Sequence, residues 1–220
     1  MLYNWVQNFD LFLLDFDGLL VNTEQLHFLS YKQMVESLGF NFPINYDTYC
    51  QGAHISTEVL RDLIYTSCKG LKEAHPNWME IREIKQKIYL KHLQNGQVEL
   101  MPGVDFLIQS LIHFQKKACI VTNSPLEQIE LVEARLPLLK KIPFKVTRND
   151  YTHPKPSGDS YRVAIEKYGS PTDRIVGFED SQKGVMALID AKVFSIEINP
   201  SPSISLADKK FPDFQSINFA

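Results

Sequence analysis

The stretch Leu11-Phe12-Leu13-Leu14-Asp15-Phe16-Asp17-Gly18 decides the fold. Its apolar run from Leu11 to Phe16 shows no polar alternation in its first four residues and predicts a strand buried on both faces. Asp-Phe-Asp-Gly then predicts a sharp turn at the strand's carboxyl end. Strand side chains alternate, so Asp15 and Asp17 are expected on the same side. Two carboxylates held side by side repel unless a cation or a shared proton lies between them. Gly18 lets the chain leave quickly and is expected to leave both acids exposed where ligands bind in open α/β sheets.

Working outward, short apolar runs recur at Ala118–Thr122, Phe144–Thr147, Arg174–Phe178 and Val193–Ile198. Helical patterns separate them at Val104–Lys117, Leu126–Leu136, Gly158–Tyr168 and Gln182–Asp190. This alternation predicts βαβ units, hence an α/β fold with a parallel sheet covered on both faces. FPDFQSINFA at the end of the chain is expected to hold a last edge strand. Residues from about Asn22 to Gly96 break the alternation. Leu26, Leu29, Met34, Val35 and Leu38 follow helical spacing, as do Val59, Leu60, Leu63 and Ile64, and then Ile81, Ile84, Ile88 and Leu93. The economical reading is a helical insertion after the first strand, with Asn22 and Thr23 capping its first helix and Met101-Pro102-Gly103 closing it.

Composition bounds the partners. The chain has 220 residues, 44% of them hydrophobic and 22% charged, so a sizeable core is available without disulfides. Its formal charge of −3 gives no global attraction to nucleic acid or an anionic membrane. No protein partner is evident. Cys50, Cys68 and Cys119 form no CxxC pair, which favours small thiols in a reducing compartment. No basic leader and no apolar run of about 20 residues is visible, so a cytoplasmic protein is expected.

Three further motifs lie beyond later strands. Thr122-Asn123-Ser124-Pro125 offers a hydroxyl and backbone N–H groups near a helix start, which suits an anion. Lys155 stands between Pro154 and Pro156, which restrict its backbone and reduce the entropy lost when its ammonium is positioned. Glu179-Asp180 puts two adjacent acids after a buried strand, a pattern that suits Mg²⁺.

In this order the four motifs resemble the haloacid dehalogenase-like superfamily, over Asp15 to Ser181. The resemblance implies a Rossmann-like three-layer core at 1–21 and 97–220, with an all-helical cap domain at 22–96. A hinged lid at that point is expected to exclude water around the nucleophile. The resemblance further implies Asp15 as nucleophile and Asp17 as general acid and base. It assigns Mg²⁺ to Asp15, the Asp17 main-chain carbonyl and Asp180, with Glu179 in or beside the metal's shell. Thr122, Asn123 and Ser124 are expected to hold the phosphoryl oxygens and Lys155 to offset their charge. Asp17 points to phosphomonoesters, because displacing a halide needs no proton.

Within the superfamily the chain is similar to the subgroup of β-phosphoglucomutase and small sugar-phosphate phosphatases. His27, twelve residues after Asp15, matches a histidine that orients the general acid in the mutase. Gly52 resembles a cap loop that dips toward substrate, and Lys85 a cap lysine; two lysines on a wet helix face is the plainer reading of Lys85 and Lys87. Gly184 suits close packing. Ile55 and Pro125 stand where the mutase carries an arginine and a lysine for a second phosphate, and Ile cannot supply bidentate contacts. The expectation is a Mg²⁺-dependent phosphatase of a small soluble phosphorylated metabolite, with sugar phosphates as the candidate class, acting through an aspartyl-phosphate. A phosphohexomutase and a non-catalytic binding or regulatory protein of the same fold are the alternatives.

Overall fold

The computed structural model describes residues 2–96 and 98–219, so the expected segment ends at 1, 97 and 220 lie outside the described residues. The chain divides into two compact units, Met1–Asn22 with Val98–Ala220, and Thr23–Gln97. In chain order, β1 (Leu11–Leu14) precedes α1 (Glu24–Ser37), α2 (Tyr46–Ile55), α3 (Thr57–Ser67), α4 (Leu71–Ala74) and α5 (Trp78–Asn95). Then come α6 (Val104–His113), β2 (Lys117–Val121), α7 (Leu126–Arg135), β3 (Phe144–Val146), α8 (Asp159–Tyr168) and β4 (Ile175–Glu179). The series ends with α9 (Gln182–Asp190), β5 (Phe194–Ile198) and β6 (Lys209–Phe211).

In the first unit the six strands form one parallel sheet in the order β3-β2-β1-β4-β5-β6. The order reverses at β1: the chain builds outward to β2 and β3 on one side, then to β4, β5 and β6 on the other. That reversal opens a crevice at the carboxyl ends of the central strands. Leu13 is opposite Cys119 on one flank and Gly177 on the other, so the β1 strand is sheltered by neighbours as well as by both faces. All four of its residues are buried. On one face Leu11, Leu13, Cys119, Val121 and Val146 pack with Tyr161 and Ala164 of α8 and Ala187 and Leu188 of α9. On the other, Phe12 and Phe178 stack at 6.3 Å beside Trp5 of a short 3₁₀ turn at Asn4–Asn8. The architecture is the expected Rossmann-like α/β fold. The last strand differs in place: it is Lys209–Phe211, just ahead of most of the segment expected to hold it. This short KKF edge strand is too polar and brief to announce itself by periodicity.

Beyond β1 the chain turns within six residues. Leu20 and Val21 donate backbone bonds to the Phe16 carbonyl, and Gly18, at φ +85°, donates to Val21. Val21 then pairs antiparallel with Leu100, and the Asn22 amide donates to the Glu99 carbonyl at 2.9 Å. The two segments of chain that leave and re-enter the sheet unit are therefore hydrogen-bonded to each other.

The second unit is helical. Phe28, Tyr31, Met34 and Val35 of α1 share its core with Tyr49 of α2, Leu60 and Ile64 of α3, and Ile81 of α5. Asn45, Ser56 and Asn77 accept backbone N–H bonds at the starts of α2, α3 and α5, each worth about 1 kcal/mol. Thr23 occupies the cap position of α1 but makes no side-chain capping bond, contrary to the expected cap. Helix α2 was not legible in the apolar spacing, since YDTYCQGAHI buries only Tyr49 and Gly52.

Candidate active site

Each sheet motif stands at the carboxyl end of its strand, at or near the reversal of strand order. Asp15 follows β1 directly, its amide held by the Phe178 carbonyl at 3.1 Å. Thr122 follows β2, its amide bonded to Val146 of β3 at 3.0 Å. Glu179 is the last residue of β4 and Asp180 the next. Lys155 reaches this point from the loop after β3. Its Nζ donates to Asp15 Oδ1 at 2.5 Å, to Glu179 Oε1 at 2.6 Å and to the Val121 carbonyl at 2.8 Å. All three of its protons are used, and only 3% of its side chain is exposed.

These contacts set the electrostatics. Burial, then the Glu179 carboxylate, push the Asp15 carboxyl from its ordinary 3.8 up to about 7, against the pull of Lys155. Burial also raises Glu179, while the two acids raise Lys155 and keep it charged. One ammonium thus faces more carboxylate than it can neutralise. One ligand oxygen from each of Asp15, Glu179 and Asp180 lies within 4.8 Å of the others. Glu179 Oε2 is buried with no hydrogen-bond partner among the described residues. An oxygen-only set of clustered acids with surplus negative charge fits a hard divalent cation such as Mg²⁺.

The opposite wall is a polar turn. Ser124 Oγ donates to Asp17 Oδ2 at 2.6 Å, and the Ser124 amide donates to Thr122 Oγ1 at 3.0 Å. Asn123 Oδ1 accepts from the Lys155 amide at 3.3 Å. The Tyr151 hydroxyl lies 2.7 Å from Asn123 Oδ1 and 2.9 Å from the Thr122 carbonyl. Burial pushes that hydroxyl up to about 12, so it remains a donor at neutral pH. The structure therefore brings Asp15, Asp17, Thr122, Asn123, Ser124, Lys155, Glu179 and Asp180 into one constellation.

Two tyrosines belong to it that sequence reasoning missed. Tyr151 braces the Thr122–Asn123 turn, and Tyr161 of α8 donates to Glu179 Oε1 at 2.5 Å. Helical spacing could place Tyr161 in the core, but nothing local reveals where its hydroxyl ends. Gly184, in the first turn of α9, permits this packing: a Cβ there would come within 1.9 Å of the Glu179 carboxylate. That carboxylate is pinned by Lys155 and Tyr161 and cannot swing aside cheaply. Gly184→Ala is expected to cost about 1–3 kcal/mol in urea unfolding and to lower catalytic activity as Glu179 shifts. A variant with unchanged stability and kcat would contradict this packing.

His27, Gly52 and Lys85 lie in the helical unit. His27 Nδ1 is 2.7 Å from Lys85 Nζ, and the His27 ring stacks on Tyr89 with centroids 3.9 Å apart. Lys85 is buried, its ammonium 4.5 Å from the Tyr89 ring centroid and 5.1 Å from that of Tyr31. The wet helix face expected for Lys85 is corrected: aromatic rings and an imidazole supply the environment that water would. Gly52 is corrected too. It lies inside α2 rather than in a loop, and its missing side chain lets Leu60 and Leu63 of α3 pack close.

A family model described as haloacid dehalogenase-like hydrolase matches residues 12–198. The chain is 28% identical over 198 residues to the Drosophila melanogaster protein named "Probable pseudouridine-5'-phosphatase", covering 87% of this chain and 81% of that one. It is 26% identical over 182 residues to the "Phosphorylated carbohydrates phosphatase" of Thermotoga maritima, covering 81% and 80%. The fold matches that of a CbbY mutant from Rhodobacter sphaeroides crystallised with xylulose-(1,5)bisphosphate, at a TM-score of 0.75 and 22% identity over 94% and 95% of the two chains. Among the described residues no helix is long and apolar enough to cross a membrane.

Proposed function

The chain belongs to the haloacid dehalogenase-like hydrolase family, and we propose that within it the enzyme is a Mg²⁺-dependent phosphatase of small phosphomonoesters. The observation that carries this reading is Asp15 itself. A buried carboxylate, oriented by Lys155 and backed by two further acids, stands two residues from a second aspartate held by Ser124. The names of the relatives, one a phosphatase of pseudouridine phosphate and one of phosphorylated carbohydrates, support a sugar-phosphate ester as the substrate class.

Asp15 donates an oxygen lone pair to phosphorus, forming an aspartyl-phosphate as the bond to the ester oxygen breaks. Protonated Asp17 gives that leaving oxygen its proton, so an alcohol departs. A water then attacks phosphorus, Asp17 takes a proton from it, and the Asp15–phosphorus bond breaks to release phosphate. Lys155 holds Asp15 and balances charge between nucleophile and phosphoryl group, while Thr122 and the Asn123 amide bind the phosphoryl oxygens. Mg²⁺, held by Asp15, the Asp17 carbonyl and Asp180 with Glu179 beside it, would neutralise the acid cluster and polarise a phosphoryl oxygen when bound. Ile55 and Pro125 leave a second phosphate without the cations a mutase needs, which favours hydrolysis.

The test is phosphate release from p-nitrophenyl phosphate and a panel of sugar phosphates, including pseudouridine 5'-phosphate, with Mg²⁺ and with EDTA. Release that EDTA abolishes supports the reading. No release from any ester, or conversion of glucose 1-phosphate to glucose 6-phosphate without release, overturns it.

Metal removal has a signed pH dependence. Native Asp15 binds its proton more tightly than the unfolded chain does, so its ionisation destabilises the metal-free fold as pH rises from about 4 to about 7. Mg²⁺ competes with that proton. The rise in Tm that Mg²⁺ produces should therefore grow with pH up to about 7 and then level off. A metal-induced shift of equal size at about pH 5 and about pH 8, measured by scanning fluorimetry, would contradict this coupling.

A further inference from the structure

Within the helical unit, Cys50 and His54 stand four residues apart on α2, so both face the same side of the helix. Glu24, the first residue of α1, meets them there. His54 Nε2 is 2.8 Å from Glu24 Oε2, and one ligand atom from each of the three residues lies within 4.8 Å of the others. All three are half-buried, which combines shelter with an open path to solvent. Tyr46, on the preceding turn of α2, has its hydroxyl held above the ordinary tyrosine range by burial and then by the neighbouring Cys50 side chain. The proposed hydrolytic site uses none of these groups.

The donor set here is chemically unlike the acid cluster of the sheet unit. One sulfur, one imidazole nitrogen and one carboxylate oxygen form a mixed, softer set that suits a borderline transition metal rather than Mg²⁺. Tetrahedral Zn²⁺ with ordinary bond lengths needs its ligand atoms roughly 3.3–3.7 Å apart. From separations of up to 4.8 Å the atoms close by about 1.5 Å at most, and the His54–Glu24 pair, at 2.8 Å, opens by about 0.5 Å, changes that side-chain rotation supplies. We propose that Glu24, Cys50 and His54 form a second metal site, selective for Zn²⁺ or a similar thiophilic divalent ion, with solvent as the fourth ligand.

Binding is balanced by one proton. The Cys50 S–H bond breaks, its electron pair forms the sulfur–metal bond, and the proton passes to solvent; His54 binds neutral and Glu24 ionised. The bound ion would tie the first turn of α1 to α2 at three points, alongside the His54–Glu24 contact already there.

Co²⁺ is the probe, because only a thiolate ligand gives it strong near-ultraviolet charge-transfer absorption. One equivalent added to the reduced full-length protein is expected to produce that band. Zn²⁺ in equal amount should remove it, and millimolar Mg²⁺ should not. Cys50→Ser should abolish the band while leaving phosphate release unchanged. His54→Ala should weaken Co²⁺ binding by more than the roughly 10–100-fold that loss of a supporting partner costs. A wild-type protein without the band overturns the proposal. So does a band that survives Cys50→Ser, since the sulfur is then Cys68 or Cys119. Circular dichroism of each variant separates loss of the site from loss of fold. The Co²⁺ readings do not depend on turnover, so the metal site stands or falls apart from the phosphatase reading.

Discussion

Asp15→Asn is expected to lower kcat on every accepted ester by about 10⁴-fold or more, the scale seen when a nucleophile that acts with its partners is removed. The amide has the shape of the carboxylate but cannot form the bond to phosphorus. The same variant is expected to stabilise the metal-free fold. Desolvation and the Glu179 charge are the leading forces against ionised Asp15, and the amide removes both while Glu179 keeps its bond to Lys155. The gain should be about 1–2 kcal/mol near pH 8 and shrink toward pH 5, where native Asp15 already carries its proton. Urea unfolding with EDTA across that range checks the sign. A variant that loses activity and also loses stability at pH 8 would mean that the Asp15–Lys155 pair outweighs the crowding of acids.

Lys155→Met carries the second large effect, with the opposite sign in stability. Methionine has similar length and no charge, so Asp15 and Glu179 lose their shared counter-ion inside the fold. Removing one partner of a buried ion network typically costs about 3–5 kcal/mol. Activity should fall by about 10²–10⁴-fold, through lost orientation of Asp15 and lost charge balance at the phosphoryl group. The double variant Lys155→Met/Glu179→Gln is the diagnostic, because it removes one orphaned charge along with the ammonium. Partial return of stability without return of activity is the expected outcome. Additive losses in the double variant would show that the two residues do not act as a unit.

The sequence revealed what depends on local pattern. The β1 run is uniformly apolar because neighbouring strands and both sheet faces bury it, and Asp15 had to follow at its exit. Thr122, Lys155, Glu179 and Asp180 were legible because each follows a run of the same kind or sits between prolines. Lys85 was misjudged because the groups that make burial tolerable come from α1 as well as from its own helix. Helix α2 lacks an apolar stripe because much of one side holds Tyr46, Cys50 and His54. Tyr151 and Tyr161 escaped notice because a tyrosine's apolar ring decides its place in a pattern, whereas its hydroxyl decides its role.

The hydrogen-bonded ladder at Val21–Leu100 also bears on how the chain assembles in time. Strands β1 and β2 are neighbours in the sheet, yet about a hundred residues separate them in sequence, most of them in the helical unit. Closing a flexible loop of that length costs about 1 kcal/mol more entropy than closing one of roughly 25–30 residues. A helical unit that condenses first, from contacts within Thr23–Gln97, shortens the effective loop before the sheet pairs. Ile64→Ala, confined to that unit's core, is then expected to slow refolding several-fold as measured by phosphate-ester activity. Unchanged refolding in that variant would mean the sheet closes without waiting. Slowed refolding in Ile64→Ala would make the insertion a kinetic intermediary, its local folding bringing β1 and β2, which flank the hydrolytic crevice, within reach of each other.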